Sequence, residues 1–213
     1  MNIFDTAEEA FEFYYDDISN RGVDFCGGKT IFNEGFTLLN PMSNQISTSW
    51  RKWSPKYAER EWNWYLTGDP GGNEISKHAP IWFNHMDENG EVRSNYGHQW
   101  QRNDQIGYVV KELKRDPQSR RAGLTFYDGK EHSTYEFDTP CTTGAFFYIT
   151  NGKLNMTITM RSNDLWFGFA NDQYCFSMLQ KLVADRLELE VGEYHHFNIN
   201  FHIYYDFLNK NQK

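Results

Sequence analysis

Basic residues are scarce: 21 lysines and arginines face 29 aspartates and glutamates, a formal net charge of −8 over 213 residues. A long nucleic-acid groove is therefore not expected, because phosphate tracks need clustered cations. A mononucleotide needs only a few arginines. The three cysteines, Cys26, Cys141 and Cys175, are odd in number and widely spaced, so neither a disulfide framework nor a CxxC metal site is written here. A reducing, cytoplasmic setting is expected. No apolar run approaches the roughly 20 residues that span a bilayer, and the opening MNIFDTAEEAFEFYYDD lacks the basic-then-apolar order of a secretory signal. No membrane association is expected. Proline is limited to six residues, and there is no repeat, linker or low-complexity tract. Residues 1–213 are expected to form one domain.

What is present is apolar and aromatic, 39% and 17% of the residues, enough for a packed globule. Thr6 with Glu9 makes a capping-box pattern, and Phe11, Tyr14, Tyr15 and Ile18 recur at helical spacing up to Gly22. Residues 29–39 are rich in strand formers. Residues 57–66 read as a helix stopped at Gly68, and Asp104 is placed to cap a helix carrying Ile106, Val109, Val110 and Leu113. From Phe146 to Met160 the pattern is a hairpin turning at Asn151-Gly152. Cys175, Met178, Leu179, Leu182, Val183 and Leu187 form the strongest helical stripe, expected to be central and to close at Gly192. Residues 197–205 alternate, with Phe197, Ile199, Phe201, Ile203 and Tyr205 on one face and Asn198, Asn200, His202 and Tyr204 on the other. The first face should feed the core and the second line a polar site. Helices and strands mix throughout, so the fold class is α+β.

Few residues declare chemistry on their own. Cys141, after Asp138-Thr139-Pro140, is either a small buried hydrophobe or a nucleophile, and a thiolate there needs a cation such as Arg161. Arg120-Arg121 and Arg161-Ser162 suit an anion, though each alone could equally be solvated surface charge. Glu61 lies among Trp62, Trp64 and Tyr65; it is either an exposed helical residue or a carboxylate desolvated enough to shuttle protons. His195, His196 and His202 lack companions at ligand spacing, so no metal is expected.

Taken in order, the segments EWNWYLTGD, IWFNHMDENGEVRSNYGHQW, DQIGYVVKELKRDPQSRR, TPC, NGKLNMTITMRSND, FGFANDQY and FHIY resemble the thymidylate synthase family, over about residues 57–205. That resemblance implies a mixed β-sheet packed by helices and a homodimer formed through the sheet, with shared active sites. It implies Cys141 as nucleophile, Glu61 as organiser of water and protons, and Asp164 near the pterin and base. Arg161 and Ser162 stand at positions that hold the nucleotide phosphate, and Arg120 and Arg121 at the pair lent by the partner subunit. Arg21 or Lys29 would supply the amino-terminal phosphate loop, a choice left open. His202 and Tyr204 match the pair on the sugar hydroxyl, and Trp82, Tyr96 and His85 lie at folate-proximal positions. The co-substrate implied is 5,10-methylenetetrahydrofolate.

Within that resemblance, Asp172 stands where synthases have an asparagine that pairs with uracil. A carboxylate offers acceptors, which suit the exocyclic amine of cytosine and repel the uracil carbonyl. MRSND, FGFAND, the Cys141-Thr142 pair and SNYG look like the phage deoxycytidylate hydroxymethylases. His85 replaces a synthase tryptophan, and the chain ends at Lys213 with little tail to close over a folate, so a wetter site is expected. Asn200 departs from both patterns. The expected activity is a dCMP 5-hydroxymethylase serving modified DNA precursors in a host cytoplasm. The alternatives are a dCMP or dUMP methylase and a non-catalytic nucleotide-binding relic.

Overall fold

The computed structural model of the chain describes residues 1–133 and 138–212, so Lys213 lies outside them. Strand β1 (Asn2–Phe4) leads into helix α1 (Ala7–Arg21). Thr6 Oγ1 accepts the Glu9 N–H at 3.2 Å, and Glu9 reaches back to the N–H of Asp5, one residue before the cap, at 2.9 Å. The expected stripe of Phe11, Tyr14, Tyr15 and Ile18 is buried. Strands β2 (Val23–Phe25) and β3 (Gly28–Leu38) follow, turning through Cys26 and Gly27 at φ 47° and 80°.

Helix α2 (Pro55–Thr67) is capped by Ser54 and stopped by Gly68 in the left-handed region, φ 68°. Short helices α3 (Asn73–Ser76) and α4 (Tyr96–Gln101) flank a 3-10 turn, Pro80–Asn84. Helix α5 (Gln105–Arg115) begins where expected, but Asp104 does not cap it through its side chain. Asn103 and Asp104 both adopt positive φ, 56° and 52°, which turns the chain sharply into the helix. Then come β4 (Gly123–Thr125), α6 (Gly129–His132), β5 (Thr142–Thr150), β6 (Lys153–Met160), β7 (Asn163–Asp164), α7 (Ala170–Leu187) and β8 (Glu190–Tyr204).

One eight-stranded sheet carries the fold, in the order β1-β3-β8-β6-β5-β4, with β2 beside β3 and β7 beside β8. Strand β1 pairs in parallel with β3, β6 and β7 each pair in parallel with β8, and the remaining pairings are antiparallel, so the sheet is mixed. The β5–β6 hairpin turns at Asn151-Gly152, both at positive φ as a type I′ turn requires. Helices α1 and α7 pack on one face of the sheet, and α2 and α5 pack on α7. Tyr14, Phe36, Phe169 and Phe201 meet there with ring centroids 5.1–6.4 Å apart. Each such ring contributes roughly 1.5–3 kcal/mol by burial.

Two expectations fail in detail. Helix α7 closes at Glu188, left-handed at φ 58°, and not at Gly192, which lies inside β8. Gly192 is small because Asn155, whose Oδ1 accepts the Glu193 N–H at 2.8 Å, crowds its backbone. The alternation of β8 also breaks: Tyr194, His196 and Asn198 are buried, and then Phe201 and Ile203, while Ile199 is 44% exposed. The β3–β8 ladder omits the pair Asn33 and Ile199, with Asn33 at φ 56°, so the pleat changes phase there. Tyr205 falls beyond the strand, in a 3-10 turn. The opposite face of the sheet leaves Phe32, Phe146 and Ile199 about half exposed.

Candidate functional site

Cys141 sits one residue before β5, half-buried against the core. Its carbonyl accepts the N–H of Arg161 at 2.8 Å, which joins the start of β5 to the end of β6. The Arg161 guanidinium then clamps the preceding loop: Nε donates to the Pro140 carbonyl at 3.0 Å, and Nη2 to the Thr139 carbonyl at 2.8 Å and its hydroxyl at 3.1 Å. Burial pushes the Cys141 thiol up to about 12, with Arg161 pulling it down and Asp172, Asp138 and Asp164 pushing it further up. The thiol is neutral at rest, and Ser162 follows the clamp, half-buried.

Glu61 is not a surface residue. It is 4% exposed, and the hydroxyl of Tyr65, one turn on, donates to its Oε1 at 2.7 Å. Tyr57, one turn back, also bonds to it, and Trp82 Nε1 donates to the Tyr57 hydroxyl at 2.8 Å. Burial raises the Glu61 carboxyl, against the pull of the two tyrosines. Trp82 is half-buried beside Trp64 and His85, and His85 Nδ1 lies 3.4 Å from Asp138. Tyr96 is buried, its ring tilted against Tyr65 with centroids 5.6 Å apart, and it faces Cys141 electrostatically.

Asp172, at the start of α7, is 8% exposed and accepts from Asn163 Nδ2 at 2.8 Å. Burial holds it well above the carboxylate range, and Glu61 is the next cause, so the two carboxyls share one buried region. Asp164 accepts the N–H groups of Trp166 and Phe167, both at 3.0 Å, at a π-turn over Leu165–Phe169. Burial lifts it to about 6. His202 pairs with Asp164 across β7 and β8, and its ring meets Tyr204 edge-on at 5.0 Å. Its Nδ1 is buried without a hydrogen-bond partner among the described residues.

Thus Cys141, Glu61, Tyr96, Arg161, Asp164 and Asp172 come together, with His202 and Tyr204 beside Asp164. Four cations named from the sequence bond to none of these residues among the described residues. Arg21 is bound to Asp17 at 2.6 Å and Glu34 at 2.8 Å, and Lys29 to Asp24 at 2.9 Å. Arg120 and Arg121 are exposed, and the next residue, Ala122, bonds to Phe147, six residues along β5 from Cys141 and so roughly 20 Å away. His195 and His196 are likewise apart: the first bonds to Thr37 and Tyr148, the second to Tyr194 and Asn198.

Sequence reading missed Arg51. Its Nε donates to the Trp166 carbonyl at 2.9 Å, its guanidinium lies 4.9 Å over the Trp166 ring, and it faces Asp164 electrostatically. Burial brings it down to about 10. No periodicity marks it, because it lies in an irregular segment. Tyr57 and Tyr65 were findable: both are four residues from Glu61 on one helix face.

The sequence pattern of thymidylate synthases matches residues 27–213, nearly all of the chain. The chain belongs to the thymidylate synthase family. Its fold is that of the thermostable thymidylate synthase A from Bacillus subtilis, with a TM-score of 0.81 and 22% identity over 96% of this chain and 82% of that one. Thymidylate synthase family members are folate-dependent transferases that act on pyrimidine nucleotides, with methylenetetrahydrofolate as co-substrate. The α2 side of the cleft fits such a group: Ile81 and Phe83 are 56% and 58% exposed beside the half-buried Trp82, an apolar ledge suited to a fused aromatic ring. Among the described residues no helix is long and apolar enough to cross a membrane.

Proposed function

We propose that residues 1–213 act as one catalytic unit, a dCMP 5-hydroxymethylase. The observation that carries this reading is the buried Asp172 carboxyl, held by Asn163 in the same pocket as Cys141 and Glu61. A neutral carboxylic acid donates once and accepts once, which complements the ring N3 and exocyclic amine of cytosine and opposes the N–H and carbonyl of uracil. The closeness to the phage hydroxymethylases rests on this residue and on the MRSND, FGFAND, Cys141-Thr142 and SNYG segments, and His85 supports water capture.

Cys141 is the nucleophile in this reading. Its sulfur adds to carbon 6 of the ring, and the thiol proton leaves to the carboxylate and water network around Glu61. Glu61, raised by burial above the ordinary carboxylate range, takes and returns protons in this reading. Asp164 and Asp172 orient the ring, His202 and Tyr204 the sugar, and Arg161 and Ser162 the phosphate. Arg21 and Lys29 are both committed to carboxylates, so neither gains support as the loop cation. When bound between Trp82, His85 and Tyr96, 5,10-methylenetetrahydrofolate supplies the one-carbon unit to carbon 5. Carbon 5 loses its proton, and water adds to the resulting exocyclic methylene as Cys141 departs. The balance is dCMP, the methylene donor and one water giving 5-hydroxymethyl-dCMP and tetrahydrofolate.

Incubation with dCMP and 5,10-methylenetetrahydrofolate, followed by mass measurement of the nucleotide, tests this. A gain of 30 mass units (CH2O, roughly, by composition) is expected. A methylated product with dihydrofolate release would overturn it.

A further inference from the structure

Asn163 is 2% exposed, lies on β7 opposite Phe201, and commits its Nδ2 to Asp172 Oδ2 at 2.8 Å. Its Oδ1 is buried with no hydrogen-bond partner among the described residues, a state in which a polar atom is completed by water or a ligand. Gly168 leaves space for the pair. A Cβ on Gly168 would stand 3.1 Å from Asp172 Oδ2 and 3.3 Å from Asn163 Nδ2, so any larger residue would press on both.

A carboxyl group turns easily about its terminal bond, because that torsion is broad and nearly two-fold. Unrestrained, Asp172 could offer a base either edge. The Asn163 donor removes that freedom: the oxygen it touches is held as the acceptor, and a proton on the acid belongs on the other oxygen, since a carbonyl oxygen accepts better than a hydroxyl. We infer that Asn163 is a positioning residue for base selection, fixing the Asp172 carboxyl in the orientation that pairs with the N3 and amine edge of cytosine. The inference rests on the cytosine reading above. Oδ1–H then faces the ring N3, and Oδ2, whose second lone pair is free, accepts from the amine. Uracil meets donor against donor and acceptor against acceptor.

The groups around Asp172 are Glu61 and Tyr65 on α2, Tyr96 on α4, Cys141 before β5, Asp164 on β7, Cys175 on α7 and Tyr194 on β8. None of them is a cation. Asn163 is the one side chain with a hydrogen bond to the Asp172 carboxyl among the described residues.

The test compares kcat/KM for dCMP and dUMP across pH in the full chain. The proteins are wild type, Asn163→Ala, the volume-keeping Asn163→Leu, Asp172→Asn, and the Asn163→Ala/Asp172→Asn double variant, each with its thermal unfolding curve. Losing Asn163 should lower the dCMP-over-dUMP ratio by about tenfold or more. It should also move the alkaline limb of the dCMP profile to higher pH, because a donor to the ionised carboxyl is gone. In the Asp172→Asn background the Asn163 change should add little. Folded Asn163 variants with an unchanged ratio would overturn this inference and leave the cytosine reading standing. A wild type that prefers dUMP overturns that reading and this inference with it. Unfolding of both single Asn163 variants would make the residue structural and count against the role proposed.

Discussion

Three carboxyls in one pocket, Glu61, Asp164 and Asp172, are raised by burial, and each therefore binds protons more tightly in the folded chain than in the unfolded one. Their contribution to stability is full below the ordinary carboxylate range and is lost as pH rises through their folded values, about 6 for Asp164. His196 works in the opposite sense: burial lowers it to about 3, so its contribution is present above pH 6.5 and is lost as pH falls from there toward 3. Thermal stability should therefore peak on the acid side of neutrality. Asp164→Asn removes one titration, so its Tm relative to wild type should rise between pH 4.5 and pH 7.5, by the equivalent of at most about 3 kcal/mol for the shift from 3.8 to about 6. A pH-independent difference would show that Asp164 does not titrate in that window. Such pockets are expensive in stability and common where acid and base chemistry is done.

At the scale of elements, the segment joining α5 to β4 is organised by Glu112. It accepts from Arg115 at 2.7 Å, Ser119 at 2.6 Å and Arg121 at 3.2 Å, and the first of these cations, with Ser119, holds it down at about 2. Arg120 emerges beside this knot without an ion pair among the described residues. Glu112→Gln keeps the volume and loses the charge. Nucleotide KM should rise about tenfold with kcat within about twofold, the mark of lost uniform binding, in steady-state assays at saturating folate. Equal loss in kcat would place the knot in the chemistry instead. The helices and the hairpin were legible because their burial is periodic and their signals are local: Thr6, Gly68 and Asn151-Gly152 act within a few residues. The cluster around Glu61 was half legible, since Tyr57 and Tyr65 share its helix face. Arg51 and Asn163 were not, because their partners Trp166 and Asp172 are set by tertiary packing. The break in β8 was hidden for the same reason, as a period-two pattern carries no mark of an extra residue.

For the whole molecule, the helix-free face with Phe32, Phe146 and Ile199 suits a second copy of the chain, and Arg120 and Arg121 lie too far along β5 to serve their own Cys141. Mixing Cys141→Ala with an Arg120→Ala/Arg121→Ala variant, each inactive alone, should restore about a quarter of wild-type activity once subunits exchange, since half the dimers are mixed and each has one intact site. No recovery would mean that the pair is not shared. The change of pleat in that sheet has its own logic. Asn33 and Ile199 face each other as one surplus residue on each of two neighbouring strands, and the pairing from Gly28–Tyr204 to Leu38–Tyr194 stays in register across them. Removing both would let the pleat run unbroken with every other side chain on its present face, yet the strands would straighten. Where Asp164 meets His202 is thus stored in two residues that touch none of the chemistry, a shape memory written as an insertion.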